Sequence, residues 1–196
     1  PRPNQPYYLH IDLLNPRSLE PINDRIRPQV VIHLAASAFV AESDPQVFYR
    51  VNFLGTNHLL ETLSRAKHPP LCTILASSAN VYGNSDAGAL SEEASVNPEN
   101  DYALSKLAME YVARTYMDKI GIVITRPFNY TGVGQSNRFL VPKIVSHFKE
   151  KKRRMDLGNT QVSRDFSDVR DVARIYRLLA HRMPLNEVVN ICSGSA

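Results

Sequence analysis

Tyr102 and Lys106 stand four residues apart in "DYALSK", at the head of an apolar-periodic run, "LAMEYVARTY". On a helix that spacing puts a phenol and an ammonium on one face, one turn apart. A surface pair is one reading. The other is a tyrosine tuned for proton transfer, because a nearby cation favours the phenolate and pulls its pKa down. Upstream, "ILASSANVYGN" runs an apolar stretch straight into Ser77 and Ser78. Consecutive strand and helix elements are usually spatial neighbours, so a serine hydroxyl, the phenol and the ammonium can meet at one point. Such a trio suits proton exchange with an alcohol or ketone oxygen, with the serine holding that oxygen in place.

The elements that must position these groups are legible as pattern. Short apolar runs at 30–36, 72–78, 121–129 and 187–194 read as buried parallel strands. Helical periodicity covers 44–67, which opens on Asp-Pro, and then 100–120 and 139–152. A fourth helix covers 167–182, with Ser167 or Asp168 as N-cap. Alternating strands and helices imply an α/β fold with a mostly parallel, doubly wound sheet. Ligands of such sheets bind beyond the carboxyl ends of the strands. The polar segments "AASAF", "SSANVYG" and "RPFNYTG" fall there.

The composition narrows the class. Of 196 residues, 43% are apolar and 21% charged, as in an ordinary globular protein. The net charge of +4 and pI of about 9.1 suit anionic small ligands, and no aromatic-interleaved basic stripe points to nucleic acid. "KEKKRR" (149–154) reads as a solvated helix end. Both cysteines, Cys72 and Cys192, sit in apolar runs and read as buried reduced thiols, which fits the cytoplasm. No apolar stretch is long enough for a membrane span, and no metal-ligand cluster is visible. His33 and His58 read as core or helix-surface histidines, and Asp168 and Asp171 as acidic groups favouring a helix start. "PRPNQP" reads as a frayed end.

Together these stretches resemble the short-chain dehydrogenases/reductases, in their extended, nucleotide-sugar-modifying branch. "YALSK" is similar to the family's Tyr-x-x-x-Lys motif, and "HIDLLNP", "HLAASAF", "VNFLGTNHLLE", "SSANVYG", "RPFNYTGVGQ", "VSRDFSDVRDVA" and "NICSG" follow the family's order. The resemblance implies a Rossmann-like fold, an NADP or NAD cofactor, a nucleotide-diphosphate sugar substrate and a homodimer built on the 44–67 and 100–120 helices. It implies Ser78, Tyr102 and Lys106 as catalytic residues. Asp12, Leu13, Ala35, Ala36, Ser37, Ser77, Pro127 and Phe128 would line the cofactor together with Tyr102 and Lys106. Asn80, Asn129, Lys143 and Arg164 would contact substrate with Ser78, and Asn52 would pack the helix. An arginine offers the planar multidentate donor a diphosphate needs.

No G-x-G-x-x-G or G-x-x-G-x-x-G turn occurs. The chain therefore reads as a piece lacking the first βαβ unit and part of a C-terminal subdomain. Its expected division is an incomplete cofactor domain at 1–128, a substrate-binding segment at 129–166, and a helix and strand returning to the core at 167–196. The absent turn also leaves open a cofactor-free binding protein on the same scaffold. Ala79 and Asn80 follow Ser78 where the branch's dehydratases carry carboxylates, which argues against water elimination. The stretch "GNTQVSRDFSDVRDV" most resembles the GDP-4-keto-6-deoxy-mannose reductases, which make GDP-rhamnose. A nucleotide-sugar 4-epimerase is the alternative.

Overall fold

A computed structural model describes residues 8–39, 44–84, 88–158 and 161–195. The "PRPNQP" start lies outside them. Four strands, β1 (Val30–His33), β2 (Cys72–Ala76), β3 (Ile122–Pro127) and β6 (Val188–Ile191), form one parallel sheet in the order β1-β2-β3-β6. Two short strands, β4 (Asn129–Thr131) and β5 (Phe166–Asp168), pair in parallel as a separate ribbon. Because every pair in the four-stranded sheet is parallel, the carboxyl ends of all its strands share one edge.

Strand alternation splits the core between the two sheet faces. Leu75, Ile122 and Ile124 point to one side, under α3 (Thr56–Ser64) and α4 (Asp101–Arg114). Cys72, Ile74 and Val123 point to the other, under α6 (Val169–Arg182) through Val172 and Tyr176. Each fully buried Leu or Ile contributes about 1.5–3 kcal/mol of transfer free energy. A doubly wound α/β sheet therefore holds, as the alternating pattern implies.

The 44–67 helix is not uniform. A short α2 (Gln46–Phe48) passes through a wider, π-helical stretch at Tyr49–Gly55 before α3 begins. Such stretches recur at functional sites, and Asn52 lies in this one. α4 starts at Asn100, whose side chain accepts from the Ala103 amide at 2.9 Å. α6 is capped by Asp168, which takes the Arg170 amide at 2.8 Å and whose carboxyl is held down near pKa 2 by Arg170. α5 (Leu140–Lys149) ends in the basic run 149–154, which is exposed throughout. Among the described residues no helix is long and apolar enough to cross a membrane, and no His/Cys/Asp/Glu group could hold a metal ion. Cys72 is buried as expected, but Cys192 is exposed, because it lies past the end of β6 where the chain leaves the core.

Candidate active site

Three consecutive residues at the end of β2 meet three successive inward groups of α4. The Ala76 carbonyl accepts from Lys106 Nζ at 2.7 Å. Ser77 donates to Glu110 Oε1 at 2.5 Å. The Ser78 hydroxyl stands near enough to the Tyr102 phenol to oppose the rise that burial gives its pKa. The strand's extended backbone turns at Ser78, where its Oγ also accepts the Asn80 amide at 3.2 Å and caps a short 3-10 turn, Ala79–Tyr82. That turn closes on Gly83 at φ 71°, and a Cβ there would lie 2.2 Å from the Asn97 carbonyl oxygen. Only glycine allows the loop to pass so close.

The trio expected from sequence is thus assembled, but its electrostatics differ from the expectation. Burial raises the Tyr102 phenol above its ordinary pKa; the Ser78 hydroxyl opposes this, and Tyr130 adds to it. The expected lowering by Lys106 is absent. The ammonium lies 6.0 Å from the ring centroid, bonded to a carbonyl, and is itself desolvated until its pKa falls to about 8. Burial, followed by the charge of Lys106, lowers His33 to about 4, so this histidine stays neutral against Thr56.

On the cofactor side, Ala35, Ala36 and Ser37 follow β1 at the same sheet edge. Asn52 clamps this loop, accepting the Ser37 amide at 2.8 Å and donating to the Ser37 carbonyl and to Ser105 Oγ at 3.0 Å each. It is the packing amide the sequence suggests. Asp12 is exposed and accepts the Leu14 amide at 2.9 Å, while the Leu13 carbonyl pairs with His58. Pro127 is buried, and Phe128 reaches the cleft described next. The Ser77 hydroxyl is committed to Glu110 in the interior, since successive strand residues face opposite ways, so a cofactor contact at this position would come from its backbone.

Beyond the strand ends lies a cleft of about 1190 Å³. Asn80, Asn84, Phe128, Asn129, Arg164 and Cys192 are among its walls. Arg164 is exposed there; its guanidinium bonds Asn84 Oδ1 at 3.3 Å and the Ser163 carbonyl, leaving further N–H groups unengaged among the described residues. It pairs with neither Asp165 nor Asp168, which are engaged elsewhere. Asn129 Nδ2 donates to the Asp165 carbonyl at 3.2 Å, which sets the amide at the cleft wall. Lys143 falls outside that wall: its ammonium donates to the Asp156 carbonyl at 2.7 Å.

Comparison with known proteins fits this geometry. The family model described as GDP-mannose 4,6 dehydratase matches residues 2–195. The chain belongs to this family. A GDP-6-deoxy-D-talose 4-dehydrogenase from Aggregatibacter actinomycetemcomitans is 39% identical over 94% of the chain. A GDP-6-deoxy-D-mannose reductase from Pseudomonas aeruginosa is 37% identical over 93%. The chain spans 63% of the length of each. Among solved structures, an inferred epimerase from Burkholderia cenocepacia J2315 aligns over 98% of the chain and 64% of its own, at TM-score 0.88 and 48% identity. The RMD protein of P. aeruginosa, solved with NADPH, aligns over 97% and 68%, at 0.87 and 34%. GDP-mannose 4,6-dehydratase family membership does not fix the reaction, since these relatives carry several activities.

Two groups of buried polar residues in this family member escaped the sequence reading. Arg126 on β3 grips Glu110 with both Nε (3.0 Å) and an outer nitrogen (2.7 Å). It also donates to Tyr82 Oη at 2.9 Å, and Tyr82 passes its own proton to Asn190 Oδ1 at 2.8 Å. The i, i+4, i+8 series Tyr102, Lys106, Glu110 was a signal for the first half of this network. The second group is Asp165, whose carboxylate collects the amides of Ser193, Gly194 and Ser195 and the Ser193 hydroxyl, at 2.8–3.2 Å. Those partners lie about thirty positions away with no local pattern to announce them.

Proposed function

We propose that this chain carries the active site of a nucleotide-sugar oxidoreductase that reduces the C4 ketone of an NDP-4-keto-6-deoxyhexose. GDP-4-keto-6-deoxy-mannose is the favoured substrate. The observation that carries the reading is a half-buried, proton-retaining Tyr102 that feels the Ser78 hydroxyl, the pair standing close in sequence to Asn100 and Ala79, which line a cleft that also presents Arg164 and Asn129. A phenol held above its ordinary pKa is protonated at neutral pH, as an acid that must give its proton to a forming alkoxide should be. The names of the two GDP-sugar relatives support the substrate class.

NADPH or NADH suits the residues present. Lys106 is buried yet makes a single hydrogen bond among the described residues, so two ammonium hydrogens remain for a ribose hydroxyl. Ala35, Ala36 and Ser37, with Asp12, Leu13, Pro127 and Phe128, would line the same cofactor. When bound there, such a cofactor would supply the hydride for C4. Ser78 orients the carbonyl oxygen, Tyr102 protonates it, and Arg164 with Asn129 holds the diphosphate. The absence of a carboxylate at Ala79 and Asn80 supports reduction over dehydration.

The test is Tyr102→Phe in the full-length polypeptide, followed by NAD(P)H oxidation with the keto sugar. Turnover falls by about 10²–10⁴-fold while nucleotide affinity stays within about twofold. Wild-type rates in the variant would remove Tyr102 from the chemistry. The epimerase alternative is favoured by the Burkholderia neighbour, and cofactor stoichiometry separates the two: a reductase consumes one NAD(P)H per sugar, an epimerase none. A cofactor-free binding protein would show no nicotinamide binding at all. The reading includes the division at 1–128, 129–166 and 167–196. A cytoplasmic setting is supported by the unpaired Cys72 and Cys192. It further includes a homodimer through the 44–67 and 100–120 helices, supported by exposed Leu54, Leu104 and Tyr111 on them.

A further inference from the structure

The end of β2 is stitched to α4 at three consecutive residues, and only two of those stitches belong to the chemistry already assigned. Ala76 holds Lys106, and the Ser78 hydroxyl faces the Tyr102 phenol closely enough to lower its pKa against burial. The middle stitch, Ser77 to Glu110, touches neither cofactor loop nor cleft. Its acceptor is unusually fixed. The Glu110 side chain is 0% exposed, and Arg126, 3% exposed, clamps both its oxygens from β3. Arg126 is anchored in turn by Tyr82 and the Glu92 carbonyl.

A buried ion pair is a weak source of stability, since apolar residues of the same volume often do as well. What it supplies here is direction. A carboxylate immobilised by two N–H groups offers the Ser77 hydroxyl one place to bond, and so fixes the backbone immediately before Ser78. We infer that Glu110, clamped by Arg126, is a positioning residue that acts through Ser77 to hold the Ser78 hydroxyl in line with Tyr102. This inference rests on the reductase reading for its consequence in turnover, but not for its geometry. The Ser78 hydroxyl is the influence that lowers the Tyr102 pKa against burial, so any slackening of Ser78 is reported by the phenol.

The test is Ser77→Ala, which removes the link and leaves the Arg126–Glu110 pair whole. The full-length polypeptide is labelled with [13Cζ]tyrosine, and the Tyr102 resonance is assigned by its loss in Tyr102→Phe. In Ser77→Ala the Tyr102 titration midpoint moves upward. With the keto sugar and NADPH, kcat falls by about tenfold while KM stays within about twofold, because a misplaced catalytic group costs the chemical step more than binding. An unmoved midpoint overturns the inference whatever the rate. A shifted midpoint in a protein that reduces no keto sugar upholds it and defeats the reductase reading instead.

Discussion

Replacing Glu110 with glutamine tests how the sheet and α4 are locked. The wild-type carboxylate receives Arg126 Nε at 3.0 Å, an outer Arg126 nitrogen at 2.7 Å and the Ser77 hydroxyl at 2.5 Å. All three partners are buried. An amide keeps one acceptor oxygen and turns an N–H pair toward a donor. It also leaves the guanidinium without its counter-charge. Burial alone would lower the Arg126 pKa, but its bonds to Glu110 and Tyr82 and their charges hold it above its ordinary value, so the residue stays charged. Orphaning one member of such a pair costs about 3–5 kcal/mol. Set against a typical total of about 5–15 kcal/mol, that is a large fraction. At about 2–4 °C per kcal/mol for a chain of this size, Tm falls by about 6–20 °C. Thermal unfolding measures that fall, and urea unfolding followed by far-UV circular dichroism measures the free-energy loss, with an unchanged m-value showing that the unfolded reference is the same. The companion variant, Glu110→Leu with Arg126→Leu, removes both charges and costs less than Glu110→Gln alone. A loss below about 1 kcal/mol for Glu110→Gln, or a double variant as costly as its two single changes summed, would refute the view that an unpaired buried charge dominates.

Two further outcomes follow from buried ionisable groups. Burial lowers Lys106 from 10.5 to about 8, so between those values the unfolded chain holds a proton that the folded one has shed. Stability contributed at this site therefore rises with pH across that window, by up to about 3 kcal/mol. Urea midpoints of wild type minus Lys106→Met, taken from pH 7.5 to 10.5, should show that slope; parallel profiles would contradict it. Burial pushes the Asp165 carboxyl up, but the bonds from Ser193, Gly194 and Ser195 outweigh it and hold its pKa below the ordinary value. Its contribution is present above the unfolded pKa and lost as pH falls through the folded one. Asp165→Asn costs roughly 1.5–3 kcal/mol at pH 7 and much less at pH 3, with faster hydrogen exchange at the 193–195 amides. Equal costs at both pH values would argue against the carboxylate as the anchor.

The architecture was largely legible, because its causes are local. Apolar runs of strand length and helical periodicities lie along the chain, and each of the four main-sheet strands formed inside its expected run. Strand ends were overextended: the 30–36 run stops at His33, where "LAAS" leaves the ladder to become the loop clamped by Asn52. That Tyr102 and Lys106 share one face of α4 near the end of β2 was legible for the same reason, since helical spacing and chain order place them there. The inward turn of the Ser77 hydroxyl toward Glu110 follows a local rule, the alternation of side chains along an extended segment.

What the amino-acid order determined by itself is therefore the set of elements, the order in which they follow, and which residue types stand at the strand ends. Only the tertiary structure decided what those residues are bonded to. The clamp of Arg126 on Glu110 joins β3 to α4, and that of Asp165 on 193–195 joins β5 to the end of β6. Both depend on which segments the sheet brings side by side, and the sequence carries no period for that. The same holds for Tyr102. Its spacing from Lys106 suggested a phenol made more acidic by a cation, but desolvation is a property of the packed interior. Once packing desolvated both groups, it raised the phenol's pKa and lowered that of the ammonium to about 8.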